Sequence, residues 1–143
     1  MKKGFRINLR AGEKIYINGA VLCVDRKVSL EFLNDVAFLL ESHVLSPDET
    51  TTPLRQLYYM IQTMLIEPGS AAAARGMFDA TLPQLLATFN NRQVLEGLGG
   101  VRSLVAGDRL YEALKLIRSL FPIEDAILAA TGGADAKTYE VAQ

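Results

Sequence analysis

The hydrophobic residues of this 143-residue chain change their spacing near His43. Before that point they recur at every second position, which is typical of strands buried on one face. After it they recur every three to four positions, which is typical of helices. Segregation of this kind predicts the α+β class: a small antiparallel sheet of about four or five strands, followed by a helical bundle of about four or five helices. We expect a β module over 1–45, a helical lobe over 52–133 and a loose tail over 134–143, forming one compact unit.

The β module begins with an alternating strand in which Ile7 and Leu9 face inward and Arg6 gives a basic outer face. Asn18-Gly19 then predicts a hairpin with a two-residue type I′ turn, because both central positions need positive φ. We expect the next strand, residues 28–32, to pair with the second hairpin strand across a three-residue loop. An Asn34-Asp35 turn and a fifth strand over 36–40 follow. The expected core face of the hairpin comprises Ile15, Ile17, Ala20, Leu22 and Val24.

Capping residues and prolines predict where the helices begin and end. Thr52 as N-cap and Pro53 at the first position begin a helix that ends at Pro68-Gly69. Ser70 begins a second helix, with Met77 on its inner face and a kink or split at Pro83. The remaining predictions are a helix junction at Gly97 to Gly100, a cap at Asp108, a stop at Pro122, a last helix beginning at Glu124-Asp125, and its end at Gly132-Gly133.

The composition limits the chemistry that the chain can perform. It has one cysteine, Cys23, and one histidine, so one chain cannot assemble a four-ligand Cys/His zinc site, and any catalytic triad would need His43. Gly97 to Gly100 is the nearest approach to a phosphate loop, but no strand leads into it. The sequence therefore favours binding over catalysis, and we expect no enzyme activity, no metal and no cofactor.

No stretch of the sequence predicts a membrane-spanning segment. The longest run without a charged residue covers 12 positions, 80–91, and contains a proline. The N-terminus lacks the continuous apolar run of a secretory signal, and a single cysteine cannot form an internal disulfide. These observations predict a cytoplasmic protein that does not contact a membrane.

The net charge of −1 conceals an asymmetry between the two parts of the chain. Residues 1–27 contain seven basic and two acidic side chains, a net of +5, whereas residues 28–143 contain 8 basic and 14 acidic ones, a net of −6. A basic N-terminal segment is typical of proteins with an anionic partner there, such as nucleic acid. Ordinary solvated strand faces would give the same count.

Three blocks of sequence resemble the FlbT family of flagellar biosynthesis regulators from alphaproteobacteria. They are LRAGEKIYINGAV at 9–21, TPLR at 52–55 running on to LIEP at 65–68, and YEALK at 111–115 with LFP at 120–122. Their order and the chain length also match, so the resemblance covers nearly the whole chain. It implies a post-transcriptional regulator that acts on the 5′ untranslated region of flagellin mRNA, controls its translation and decay, and represses in some species but acts positively in others. It also implies an association with a small flagellar protein, FlaF, and through it with flagellin.

The resemblance supplies no motif for RNA contact, so candidate residues come from the chemistry of the β module. Cations can bind phosphates, a tyrosine on a sheet can stack on an unpaired base, and an asparagine can read a base edge. Tyr16 could instead fill space against the helical lobe, and Asn18 could serve only the turn. The candidate RNA-binding residues are Arg6, Arg10, Lys14, Tyr16, Asn18, Arg26 and Lys27.

The first helix is apolar on more than one side, so it must be buried on more than one side. This allows a second hypothesis, a protein-interaction adaptor that docks FlaF or flagellin and reaches mRNA only indirectly. A second copy of the chain is a further possible partner, giving a homo-oligomer. The candidate interface residues, which could equally be core, are Tyr58, Tyr59, Met60 and Met64.

Overall fold

A computed structural model describes residues 5–34 and 36–131, without the side chain of Phe5. The strands are β1 (Phe5–Leu9), β2 (Lys14–Ile17), β3 (Ala20–Cys23), β4 (Val28–Phe32) and β5 (Phe38–Leu40). The helices are α1 (Pro53–Ile66), α2 (Ala71–Thr88), α3 (Arg92–Ala106) and α4 (Leu110–Ala130). The predicted α+β class is confirmed. Three predictions involve residues outside those described: the turn at Asn34-Asp35, the helix end at Gly132-Gly133 and the tail at 134–143.

The five strands form two small antiparallel sheets instead of one. β1 pairs with β4 from Phe5↔Phe32 to Leu9↔Val28, and the second sheet has the order β3-β2-β5. The predicted hairpin is confirmed: Ile17 pairs with Ala20 across a turn in which Asn18 and Gly19 have φ of 48° and 89°. Both central residues thus adopt the left-handed conformation that a type I′ turn requires.

The expected pairing of the 28–32 strand with the second hairpin strand is wrong. β4 pairs with β1, and the loop 25–27 crosses from one sheet to the other. The apolar side chains of the two sheets pack into one cluster, which contains the half-buried Val28 and Leu30 of β4 and the buried Ile15 of β2. Stacking buries the apolar faces of both sheets at once, which one open sheet of the same strands would not achieve. The hairpin core face is only partly as expected, because Ala20 and Leu22 of β3 are exposed.

The three-stranded sheet lies between the β1–β4 sheet and the helices. Ile15 of β2 and Phe38 and Leu40 of β5 pack toward β1 and β4. Tyr16 of β2 and Leu39 of β5, which are paired with each other, pack into the helical core. The alternation of side chains across this sheet therefore gives it two buried faces, and it explains the continuous apolar run in β5.

Two side chains of α1 hold the segment that leads from the strands to the helices. The Tyr58 hydroxyl donates to the carbonyl of His43 (2.5 Å) and accepts from Arg118 of α4 (2.9 Å). The Gln62 side-chain oxygen accepts from Leu45 N (2.8 Å), and its amide nitrogen donates to Leu45 O (2.9 Å). Burial raises the pKa of Tyr58, so its hydroxyl stays protonated and remains a donor at neutral pH.

α1 begins as predicted, whereas α2 differs from its prediction in two respects. The Thr52 hydroxyl accepts from Arg55 N (3.2 Å), and Pro53 is the first helical residue. α2 runs unbroken through Pro83, whose ring is exposed, so the predicted split is absent. Met77 is 57% exposed instead of facing inward. None of the helices within the described ranges is long and apolar enough to cross a membrane.

α3 is one helix that includes the glycines expected to form a junction. A Cβ at Gly97 would lie 2.6 Å from Leu120 Cδ1, and one at Gly100 would lie 2.9 Å from Leu116 Cδ2. Both leucines belong to α4. These two glycines therefore permit the close approach of α3 and α4, a packing role that outweighs their low helix propensity.

α4 is also longer than predicted. Asp108, with φ of 61°, lies in the connection, and Arg109 occupies the N-cap position. The helix continues through Pro122 to Ala130, so Glu124 and Asp125 lie inside α4 and do not begin a new helix. Pro122 is exposed, and the turn after it is held against α1 by the contacts of Glu124.

Glu124 is a buried carboxylate, 1% exposed, that completes the N-terminus of α1. It accepts from the Thr52 hydroxyl (2.5 Å), from Leu54 N (2.8 Å) and from Arg55 (3.1 Å). Arg55 also pairs with Asp125 (3.0 Å). Burial raises the pKa of Glu124, while the hydrogen bonds from Thr52 and Leu54 and the charge of Arg55 oppose that rise. An acidic residue of one helix thereby satisfies the free backbone donor of another.

We predict opposite effects for alanine at two glycines of α3. Gly97→Ala should lower the free energy of unfolding by about 1–3 kcal/mol, because the new methyl group overlaps the buried Leu120. Gly99→Ala meets no atom within 4 Å and should raise it by about 0.5–1 kcal/mol through helix propensity. Urea denaturation of both variants tests this, and equal effects would contradict a packing role for Gly97.

We predict that Glu124→Ala lowers the free energy of unfolding at pH 7 by about 3–5 kcal/mol, because it leaves the buried Leu54 N–H and Thr52 hydroxyl without their acceptor and removes the buried partner of Arg55. Asp125→Ala is the matched control. It removes a carboxylate from the same arginine at an exposed position and should cost less than about 1 kcal/mol. Urea denaturation measures both values.

The pH dependence of the stability difference between wild type and Glu124→Ala gives a second test of the Glu124 contacts. Because the pKa of Glu124 is raised, the folded state binds its proton more tightly than the unfolded chain does. The stability that this protonation contributes is complete below the ordinary glutamate pKa of about 4.3 and is lost as the pH rises through the raised value. The difference between wild type and Glu124→Ala should therefore shrink over that interval. A constant difference would contradict the raised pKa.

Candidate nucleic-acid interface

The exposed side of the β1–β4 sheet carries polar side chains. Ile7, Leu9 and Leu30 point inward, so the residues between them point outward. The register sets Arg6 opposite Glu31 and Asn8 opposite Ser29, and all four are exposed. Arg10 and Lys27, also exposed, directly adjoin the last pair, Leu9↔Val28. We call these six residues the outer sheet face: Arg6, Asn8, Arg10, Lys27, Ser29 and Glu31.

The outer sheet face has three cations and one carboxylate. Arg6 donates to Glu31 (3.0 Å), with side chains 64% and 45% exposed, and Arg10 lies 4.0 Å from the Glu13 carboxylate. Exposed pairs of this kind are weak, so a phosphate can replace either carboxylate at little cost. Lys27 has no ion pair with any residue in the described part of the chain. The face therefore has a net positive charge and hydrogen-bonding side chains between its cations.

Lys14 and Tyr16, which were expected to share a surface with Arg6 and Arg10, lie elsewhere. Both belong to β2, and they point away from Ile15, whose side chain faces the β1–β4 sheet. Tyr16 packs against the helical core beside Leu39. The half-buried Tyr16 thus packs on the helical core, and a role in stacking on RNA would require its removal from that position.

Asn18 and Arg26 lie in loops outside the outer sheet face. Asn18 is exposed, and its backbone N–H donates to Ala37 O (3.0 Å). The neighbouring Gly19 lies against Pro68: a Cβ at this glycine would be 3.1 Å from the proline ring. The guanidinium of Arg26 donates to both carboxylate oxygens of Asp25 (3.1 and 3.3 Å) in the crossing loop. Four of the seven RNA candidates are thus separate from Arg6, Arg10 and Lys27.

Half of the residues of the predicted protein interface on α1 belong to the core. Tyr58 and Met64 are buried, Tyr58 within hydrogen-bond distance of Arg118, so neither is available to a partner. Tyr59 and Met60 are half-buried. α1 is covered by both α2 and α4, which explains its apolar residues on several sides without a partner.

The other candidate chemistry in the described chain is limited. A groove of about 410 Å³ lies beside Arg10, but its carboxylates are engaged: Glu13 accepts from Arg10 N (2.8 Å) and Glu41 from Lys14 N (2.9 Å). Burial, followed by the charge of Arg118, lowers the pKa of His43. Within the described ranges, no group of three or more His, Cys, Asp or Glu side chains could hold a metal ion.

Residues 5–128 match the family described as flagellar protein FlbT. This chain belongs to the FlbT family. The match covers every strand and helix except the end of α4, and it confirms the resemblance carried by the three sequence blocks. Those blocks lie in the hairpin, in α1 together with the Thr52 to Arg55 segment that contacts Glu124, and in α4.

Several relatives are similar over most of their length, and they come mostly from alphaproteobacteria. The chain is 59% identical to one from Chelativorans sp. over 91% of this chain and 90% of the relative. It is 51% identical to one from Mesorhizobium japonicum (94% and 90%) and 54% identical to one from Agrobacterium fabrum (90% and 87%). All three are named probable flagellum biosynthesis repressor protein FlbT. No solved structure matches the chain.

Sequence reasoning missed Asn8, Ser29 and Glu31 as members of the candidate interface. The alternation of β4 indicates that Ser29 and Glu31 point outward, but only the pairing of β4 with β1 shows that they lie beside Arg6 and Asn8. An Arg-Glu cross-strand pair was the available signal, since opposite charges favour direct opposition on an antiparallel ladder.

We predict that Tyr16→Ala lowers the free energy of unfolding by about 1–3 kcal/mol, because the ring packs on the helical core. Arg6→Ala, at an exposed position of the other sheet, should change it by less than about 0.5 kcal/mol. Thermal or urea unfolding of the two variants tests the assignment. A Tyr16→Ala variant as stable as wild type would contradict a core role.

Proposed function

We propose that this protein regulates flagellar synthesis by binding the 5′ untranslated region of flagellin mRNA through the outer sheet face, and that it thereby controls translation and decay of that message. The observation that supports this proposal is the proximity of three exposed cations: Arg6 lies on the exposed side of the β1–β4 sheet, and Arg10 and Lys27 directly adjoin its last pair. The repressor names of its relatives support the regulatory role. Such a protein acts in the cytoplasm, as a binding protein and not as an enzyme.

The chemistry of the face favours contacts with the RNA backbone. Three cations can neutralise phosphates, and release of counterions then drives binding. Asn8 and Ser29 between them offer donors and acceptors to a 2′-hydroxyl or a base edge. None of the six residues is aromatic, so base stacking has no platform within this face. Specificity would therefore depend on the shape of the leader and on these two polar residues.

The carboxylate of Glu31 beside Arg6 gives the proposal a second test, in which a substitution should strengthen RNA binding. Glu31 occupies the guanidinium of Arg6, and an approaching phosphate must displace it. Removing that carboxylate charge should leave Arg6 free for RNA and should reduce repulsion of the phosphate. A structural role for the pair would give the reverse result, since loss of either partner would then weaken binding.

We predict that replacing Arg6, Arg10 and Lys27 by alanine lowers the affinity for a flagellin leader at least tenfold at moderate salt. The slope of log affinity against log salt should become shallower by about 2, since each cation contributes about 0.7 to the slope on single-stranded RNA. Glu31→Gln should raise the affinity. Fluorescence anisotropy with a labelled leader, over a salt series, measures both effects, with a scrambled RNA of equal length as the reference.

The matched control removes the same charge from the helical lobe. Arg92, Arg102 and Lys115 are exposed, and their triple alanine variant should bind the leader as wild type does. Equal losses in the two triple variants would show non-specific attraction. The adaptor function predicts a different result. Leader binding would then require added FlaF or flagellin. Tyr59→Asp or Met60→Asp would abolish it, and the triple alanine variant of Arg6, Arg10 and Lys27 would not.

A further inference from the structure

β3 is an apolar strand at one edge of the three-stranded sheet. β2 lies on one side of it, and no strand of the described chain lies on the other. All four of its residues are exposed, Val21 by 59% and Leu22 by 44%. An exposed apolar edge is a template for pairing with another strand, and proteins usually protect such an edge with a charge, a proline or a covering loop. Residues 20–23 contain neither charge nor proline.

The hairpin geometry determines which backbone groups face this edge. Ile17 and Ala20 close the two-residue turn and therefore exchange hydrogen bonds. Hydrogen-bonding direction alternates along an antiparallel strand, so Leu22 and then Val24 also bond toward β2, and Val24 N indeed donates to Glu13 O (3.2 Å). The N–H and C=O groups of Val21 and Cys23 consequently point to the open edge.

We propose that a second copy of this chain covers the edge, with the two β3 strands antiparallel about a two-fold axis at Leu22. This register sets Val21 opposite Cys23 of the other copy, and each of these two pairs can exchange two backbone hydrogen bonds. Leu22 faces its own counterpart, and Ala20 faces Val24. The two three-stranded sheets become one continuous six-stranded sheet.

The composition of the strand is the reason for choosing a second copy. A partner strand must present apolar side chains on both of its faces, beside Val21 on one side of the sheet and Leu22 on the other. β3 has that property, whereas β1, β2 and β4 each carry charged residues on one face, and the apolar side chains of β5 are already packed into the two cores. The strand is therefore its own complement.

Charges at the two ends of the strand are compatible with this register. Asp25 and Arg26 of one copy extend beyond the apolar segment and lie beside Gly19 and Asn18 of the other, which are uncharged. Gly19 packs against Pro68, which directly follows the exposed Glu67. The crossing loop of each copy, in which Asp25, Arg26 and Lys27 carry a net charge of +1, thus approaches an acidic residue of the other. A register centred on Val21 would instead place Asp25 beside the apolar Ile17.

The pairing of the two β3 strands does not depend on the proposed function. Its consequence for RNA binding does rest on that function. A two-fold axis perpendicular to the six-stranded sheet places the same face of both copies on the same side of the sheet. The β1–β4 sheet packs on one face of the three-stranded sheet, so both outer sheet faces lie on the same side of the dimer. One leader could then contact six cations. A single four-residue strand pair buries less than the roughly 1,200 Å² of a stable interface, so the dimer should dissociate on dilution.

Sedimentation velocity of the full chain, without RNA, over a wide concentration range tests the pairing. We expect the mass to rise from that of the monomer toward twice that value. Val21→Lys should remain monomeric at the highest concentration, because a charge on the edge opposes pairing. Met77→Lys, which alters a side chain of matched exposure on α2, should dimerise as wild type does. A wild-type chain that is monomeric throughout would overturn the proposal.

Disulfide cross-linking tests the register. In a Cys23→Ser background, Leu22→Cys should form a dimer rapidly on oxidation, because a directly opposed, non-hydrogen-bonded pair has its Cα atoms about 4.5 Å apart, within disulfide range. Val21→Cys in the same background faces serine and should cross-link slowly, and Met77→Cys gives the background rate. Cross-linking of Leu22→Cys no faster than that rate, or binding of another protein's strand to a monomer at this edge, would overturn the proposal.

Discussion

The hydrogen-bonded contact of Glu124 with the start of α1 is the interaction on which the helical arrangement depends. The carboxylate joins Thr52, Leu54 and Arg55, and Arg55 continues to Asp125 and lies 4.3 Å over the ring of Phe121. A buried charge is costly unless all of its acceptor capacity is used, and here three groups from one segment use it. The angle and the depth at which α4 meets α1 are therefore specified by polar groups as well as by apolar packing.

The same two helices hold the strands in place. Arg118 of α4 donates to Tyr58 of α1, which donates to His43, just after β5. Gln62, one turn further along α1, bonds both backbone groups of Leu45. The segment between the strands and the helices is thus bonded to α1 at two points, which keeps Leu39 and Tyr16 against the helical core. The β1–β4 sheet then stacks on the three-stranded sheet, because the faces of β2 and β5 that point away from the helices pack toward β1 and β4.

Local sequence patterns predicted the elements better than they predicted the contacts between them. Asn18-Gly19 and Thr52-Pro53 depend on backbone conformation within a few residues, and both were correct. Local propensity gives the wrong expectation at Gly97, Pro122 and Glu124. Their conformations are determined by Leu120, by the continuous packing of α4, and by a threonine 72 positions away in the chain. Tertiary contacts override local propensity at such positions.

The candidate site shows the same division. Alternation in β1 was sufficient to place Arg6 outward, but the pairing of β4 with β1 depends on which sheet faces can be buried together, and the sequence of either strand alone does not contain that information. That pairing joins Arg6 and Arg10 to Lys27 and separates them from Lys14 and Tyr16. The candidate RNA-binding face and the buried polar contacts of α1 therefore lie in different layers of the fold. On the proposed function, we expect substitutions on the outer sheet face to alter binding without altering stability, and substitutions at Glu124 to do the reverse.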